Sequence, residues 1–142
     1  VKLNKYQRTW INRLKSGETK KAKGELIKNG GSMCCLGVAI KTMQPLSLKM
    51  CQDNNICTLN MNYFPEVYKN LCLRSDEGVL HVKMIKPKWI KIIEEATDRA
   101  TLLTSGTSLY SLTLINDNTS LTHVQIGEFI DQNREAVFIE VV

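Results

Sequence analysis

The segment from Asn4 to Gly17 leaves this chain the least freedom. Asn4 can accept a hydrogen bond from the first free amides of a helix, and Gln7, three positions on, can return one to Asn4. Tyr6, Trp10, Ile11 and Leu14 follow at helical spacing. Gly17, after Lys15 and Ser16, supplies the left-handed residue that stops such a helix. The spacing predicts a helix over 5–16 with one apolar face, so the rest of the chain must supply something for that face to lie on.

The next elements read as strand, strand and helix. Gly24 to Lys28 and Ser32 to Cys35 flank Asn29-Gly30-Gly31, a strong hairpin-turn signal. Leu36 to Met43 is helical and stops before Pro45. Residues 44–62, with Asp53-Asn54-Asn55, read as an irregular polar loop with one short strand at 56–59. Phe64 to Leu71 is a short helix with Pro65 in its first turn. Val79 to Ile85 alternates and is β-branched enough for a strand, and Pro87 opens a helix bearing Trp89, Ile92, Ile93 and Ala96. Ser108 to Asn116 spaces Leu109, Leu112 and Ile115 as a short helix would. Thr122 and Gln125 form a second capping box, with Leu121 and Ile126 as its hydrophobic staple and Val124, Ile126, Phe129 and Ile130 on the buried side. Ala136 to Val142 has strand composition. Without repeat, low-complexity tract or linker, residues 1–142 are expected to form a single α+β domain. Its architecture would be an N-terminal helix, a β-hairpin, and short helices packed on a small, mostly antiparallel sheet.

Composition narrows the class. At 142 residues with 43% hydrophobic and 23% charged side chains, the chain is long enough and apolar enough for one core. No apolar run approaches the ~20 residues of a membrane helix, and the opening Val1-Lys2-Leu3-Asn4-Lys5 lacks the apolar stretch of an export signal. The expectation is a soluble protein without a membrane partner. Five cysteines, Cys34, Cys35, Cys51, Cys57 and Cys72, are odd in number and follow no disulfide framework, which points to reduced, mostly buried thiols in a reducing compartment. Charge is uneven: residues 1–28 hold nine Lys/Arg against two Glu, whereas the remainder holds ten against twelve acids. A basic end on a near-neutral body suits an anionic partner, or serves only as a solvated face.

Several of these pieces occur together elsewhere. Trp10 and Leu14, Ser16-Gly17, Lys23-Gly24, Leu26, and the run Cys34-Cys35-Leu36-Gly37-Val38 resemble the opening of a family of small, uncharacterised bacteriophage proteins. That family shows a Trp-bearing helix, a Gly-x-Leu segment and a Cys-Cys-Leu-Gly-Val run. Tyr63-Phe64-Pro65-Glu66, Leu114-Ile115-Asn116-Asp117 and Ile126-Gly127-Glu128-Phe129-Ile130 are similar to its later segments. Residues 74–108 are not covered. This chain departs from the pattern in having no third Cys at Ile40 or Lys41, Lys21 in place of Gln, and His123 in place of Phe. The resemblance implies a viral origin and a role in the cytoplasm of an infected bacterial host. It implies no reaction.

Catalytic and metal chemistry find little to use. Structural zinc wants thiolates in spaced pairs, which adjacent Cys34-Cys35 and the irregular Cys51 and Cys57 do not offer. A junction role between strand and helix fits Cys34-Cys35 better, with Gly37 allowing close packing there. A thiol nucleophile would need His81 or His123 beside it in space, which nothing in the spacing supports. Asn29-Gly30-Gly31 lacks the Lys and Ser/Thr of a phosphate loop, and residues 108–133 make a poor helix-turn-helix because Glu128 and Asp131 lie on the would-be reading helix. No catalytic residue, metal ligand or cofactor is therefore expected.

The best anion-facing feature is the run Lys20-Lys21-Ala22-Lys23. Lys21 and Lys23 are the candidate ligand contacts, Asn116 and Asp117 are candidate hydrogen-bonding groups, and Trp10 is a candidate stacking surface unless it lies in the core. The resulting expectation is a non-enzymatic phage protein that sequesters a nucleotide-like anion used as a defence signal, in a pocket completed in a homo-oligomer. The alternatives are a nucleic-acid-binding or host-regulating protein and, behind it, a Cys/His enzyme.

Overall fold

The computed structural model describes residues 2–28, 30–53, 64–75, 78–98 and 110–139. Among them lie eight α-helices and one 3-10 turn, and no strand or sheet. In chain order these are α1 (Lys5–Lys15), α2 (Cys35–Met43), α3 (Pro45–Asp53), α4 (Pro65–Leu71), the 3-10 turn (Val82–Met84), α5 (Pro87–Ala96), α6 (Leu112–Asn118), α7 (His123–Gln132) and α8 (Arg134–Val137).

The two capping boxes form as the sequence predicts. Asn4 Oδ1 accepts the Gln7 N–H at 2.8 Å and Gln7 Oε1 accepts the Asn4 N–H at 2.9 Å. Thr122 and Gln125 repeat the exchange at the start of α7. Gly17 ends α1 with φ +73°, and Pro65 and Pro87 sit at the starts of α4 and α5.

α1 packs most extensively on α7. Trp10, Ile11 and Leu14 are buried on one side, and Ile126, Phe129 and Ile130 on the other. Gly127 permits the close approach: a Cβ there would lie 3.0 Å from Leu14 Cβ and 3.1 Å from the Lys15 backbone nitrogen. Trp10 meets Phe138 edge-on at 6.2 Å, and Trp89 meets Phe129 at 5.5 Å, so both indoles belong to the core.

The expected α+β architecture is overturned, because each extended stretch pairs once and then turns away. In the expected hairpin, Ile27 bridges Met33, but Met33 also bridges Lys21 in the parallel sense. That arm ends at once, since Cys34 is already the N-cap of α2. Val79 pairs only with Ser111 before the chain enters the 3-10 turn. Of the C-terminal strand expected over 136–142, Ala136 and Val137 are helical and Phe138 makes a bridge to Leu73, while residues 140–142 lie outside the described residues. A sheet needs a run of such pairs, and among the described residues each remains an isolated bridge.

The expected loop at 44–62 begins instead as α3, with Pro45 starting a helix as well as ending the previous one. Residues 56–59, Cys57 and Tyr63 lie outside the described residues. Of the short helix expected over 108–116, residues 108 and 109 lie outside the described residues, and the described part is helical at Leu112–Asn118, capped by Ser111 Oγ on the Leu114 N–H at 3.2 Å.

Candidate functional site

The basic run lies on the connection between α1 and α2, and that connection is tied down along its length. Met33 donates its N–H to Lys20 O and receives the Ala22 N–H on its own carbonyl, both at 2.9 Å. Cys34 N–H reaches Leu26 O at 3.1 Å, and Lys28 N–H reaches Ser32 O at 2.8 Å. Gly37 closes the packing from α2, since a Cβ there would overlap the Leu26 carbonyl oxygen. The junction role expected of Cys34-Cys35-Leu36-Gly37 is thus realised in a helical setting.

Asn116 joins this connection to α6. Its side chain is fully buried. Oδ1 accepts the Cys35 N–H at 3.0 Å, while Nδ2 donates to Ala22 O at 2.6 Å and to Asp117 Oδ1 at 3.0 Å. Asp117 Oδ1 also accepts the Gly24 N–H at 3.0 Å. The Cys35 carbonyl receives the Trp10 indole N–H at 2.9 Å. One polar thread therefore runs from α1 through the start of α2 and α6 into the basic loop.

This network settles where the five sequence candidates sit. Trp10 is fully buried and has no face to offer a base. Asn116 has both ends of its amide engaged inside the protein, and Asp117 holds the loop backbone at Gly24. Lys21 is half-buried, with Nζ donating to Thr119 O at 2.7 Å. Burial lowers its pKa, and repulsion from Lys23 adds to the effect. Lys23 is exposed and makes no ion pair among the described residues, and Lys20 beside it is the same. The structure thus brings Lys21 and Lys23 together at one loop but assigns Lys21 largely to holding α6.

Among the described residues, the thiols and histidines make no hydrogen bond to one another. Cys34 Sγ accepts the Gly37 N–H at 3.3 Å as the cap of α2, and burial pushes its pKa up to about 12. Cys35 is fully buried, its Sγ faces Leu112 O at 3.9 Å, and burial raises its pKa well above the usual thiol range. Burial pushes Cys51 up to about 11. Such thiols hold their protons at neutral pH and are poor nucleophiles and metal ligands.

His81 is exposed, and His123 is buried at the start of α7 with Nδ1 2.6 Å from Thr19 Oγ1. Burial lowers the His123 pKa, so its ring is neutral. Its Nε2 is buried without a hydrogen-bond partner among the described residues. The Thr19–His123 pair pins the far end of the basic connection to α7, a tie that 104 residues of separation hide from any local reading.

Among the described residues, no group of three or more His, Cys, Asp or Glu could hold a metal ion, and no helix is long and apolar enough to cross a membrane. No family model matches the chain, and no curated protein or solved structure is detectably similar to it.

Proposed function

We propose that this protein is a non-enzymatic binder of a phosphate-bearing anion, engaged at the Lys20–Gly24 loop. In keeping with the resemblance to bacteriophage proteins, we place its action in the cytoplasm of an infected bacterial host, on a nucleotide-type defence signal. The observation that carries this reading is a crowd of ammonium groups on a pinned backbone. Burial, and after it repulsion from Lys23, lowers the Lys21 pKa against the opposing pull of Asp117, while Lys20 and Lys23 remain exposed. An anion between them would relieve the repulsion, and the loop is already ordered, so little conformational entropy would be lost on binding. The protonated thiols of Cys34, Cys35 and Cys51 argue against a cysteine-based reaction at the same place.

The openness of Lys20 and Lys23 to solvent favours a second reading, in which the anion is a nucleic-acid backbone. Salt separates the two. Titration with a panel of mono- and cyclic dinucleotides and with single- and double-stranded oligonucleotides should give a shallow salt dependence for a small ligand. For a backbone held through six or more phosphates, affinity should fall by roughly 10³-fold between low and moderate salt. Lys20→Ala with Lys23→Ala should weaken either ligand at least about tenfold, because charge-assisted hydrogen bonds contribute ~1.5–3 kcal/mol each. Undiminished affinity in that double variant would make the loop a solubilising surface only.

A further inference from the structure

A second lysine-rich feature lies far along the chain from the first. Lys83, Lys86, Lys88 and Lys91 fall within nine residues that contain no acid. All four are exposed, and none forms an ion pair among the described residues. Beside them the chain makes a projecting turn. Its shoulders, Leu80 and Ile85, are buried, and its backbone is fixed by His81 N–H to Ala136 O and Met84 N–H to His81 O, both 2.9 Å. Its crown is the 3-10 turn Val82–Met84, which buries none of its residues. Val82 is 41% exposed and Met84 44%. Scattered apolar side chains on a surface are ordinary, but two on one fixed turn beside four free lysines are not scattered.

A cleft of about 260 Å³ opens beside the crown, lined by Met84, Lys86 and the α7–α8 junction, residues 131–135. Its walls are already bonded. Asn133 Oδ1 accepts the Lys86 N–H at 2.8 Å, and Gln132 Oε1 accepts the Trp89 indole N–H at 2.9 Å. Lys86 and Arg134 balance Asp131 and Glu135 within the cleft, so the surplus positive charge is that of the exposed Lys83, Lys88 and Lys91, which flank the lining residues Met84 and Lys86 in sequence. The lysines are also placed against the preference of their own helix. α5 has Lys86 and Lys88 at its positive N-terminal end and Glu94 and Glu95 at its negative end, the reverse of what the helix dipole favours. A negative group supplied from outside would offset that arrangement.

We propose that this turn and cleft form a docking surface for an acidic polypeptide segment that carries a bulky apolar side chain. The apolar side chain packs on the exposed Val82 and on Met84, which lines the cleft, and its acidic neighbours meet Lys83, Lys86 and Lys88. Methionine suits such a surface because its flexible, polarisable side chain adapts to different partners. A second copy joined by a twofold axis would set these lysines against themselves. A nucleic-acid backbone would leave Val82 and Met84 without an apolar partner. An anionic bilayer would meet Asp131 and Glu135 in the cleft, whereas a peptide can insert a single side chain there.

The test is selection from a displayed random peptide library on the full chain, followed by measured affinities for the enriched peptides. Two variants, V82S/M84S and K83E/K88E, alter exposed residues only, and thermal unfolding checks that each is folded. The expected result is enrichment of acidic peptides bearing Leu, Met or an aromatic residue. Each variant should weaken these by at least about tenfold, as loss of an interface anchor does. Failure of any peptide to enrich, enrichment of non-acidic peptides, or undiminished, wild-type affinity in either variant would overturn the proposal. So would binding of phosphatidylglycerol vesicles or duplex DNA through these residues with no peptide enriched. Because Lys20 and Lys23 are untouched in both variants, binding of the anion proposed for that loop should survive either outcome.

Discussion

Replacing Asn116 by Ala tests the account of the polar thread most directly. The change removes the acceptor of the Cys35 N–H and the donor to Ala22 O, and both backbone groups belong to buried residues. A buried group stripped of its partner costs about 1–3 kcal/mol, so the pair amounts to roughly 2–6 kcal/mol. Asp117, the third partner, is only half-buried and can turn to water at small cost. Water entering the vacated space moves the sum toward its lower end, to roughly 3 kcal/mol. That is a large fraction of the ~5–15 kcal/mol that holds a domain together, and it corresponds to a fall in Tm of roughly 10 °C.

Urea unfolding followed by tryptophan fluorescence is the suitable assay, because Trp10 and Trp89 are both buried and the Trp10 indole is bonded to the Cys35 carbonyl. Asn116→Asp is the control. It keeps the acceptor for Cys35 but loses the donor to Ala22 and places a buried charge beside Asp117, so at neutral pH it should be at least as damaging as Ala. A loss below about 1 kcal/mol for Ala, or a wild-type midpoint for Asp, would refute the view that this amide holds the basic loop in place.

Four further outcomes are expected. Lys21→Ala should cost about 1 kcal/mol through loss of the bond to Thr119 O, whereas Lys23→Ala should stay within about 0.5 kcal/mol, measured by the same unfolding curves. Gly127→Ala should destabilise by about 1–3 kcal/mol, because the new methyl forces α1 away from α7; an unchanged midpoint would mean the helices are not in close contact. His123 is held below its ordinary value of 6.5 by burial, so the unfolded chain takes up its proton first as pH falls. Stability from this residue should be complete above about pH 6.5 and decline as pH falls toward its lower folded pKa, and His123→Gln should flatten that slope below about pH 6.5. Native Cys35, which is fully buried, should react slowly with a thiol reagent at neutral pH and rapidly in denaturant, and fast native labelling of it would contradict that burial.

How much of this was legible in the residues varied with the range of the forces involved. The capping boxes at Asn4 and Thr122, the stop at Gly17 and the proline starts at Pro65 and Pro87 depend on atoms three or four positions apart, and they formed as read. The close packing expected at Gly37 also held, because a small residue within an apolar run has few other uses. Pro45 misled only by half: it ends one helix and begins another, and both effects follow from its fixed φ.

Strand assignments failed for a different reason. Leu80 and Ile85 of the segment 79–85, and Ala136, Val137 and Phe138, fill the core, and apolar residues so placed suit a turn or short helix as well as a strand. Whether such a segment joins a sheet depends on partners distant in sequence, which local patterning does not contain. The same limit applied to the site. Lys21, Trp10, Asn116 and Asp117 have the chemistry to meet a ligand, and side-chain type alone cannot say that Thr119 O, Cys35 O, Ala22 O and the Gly24 N–H take them first. The sequence by itself determined where helices begin and end and that the N-terminal end is basic, since those follow from neighbours along the chain. Tertiary structure alone decided which polar groups stay free, because a donor or acceptor is committed by whatever folding places beside it.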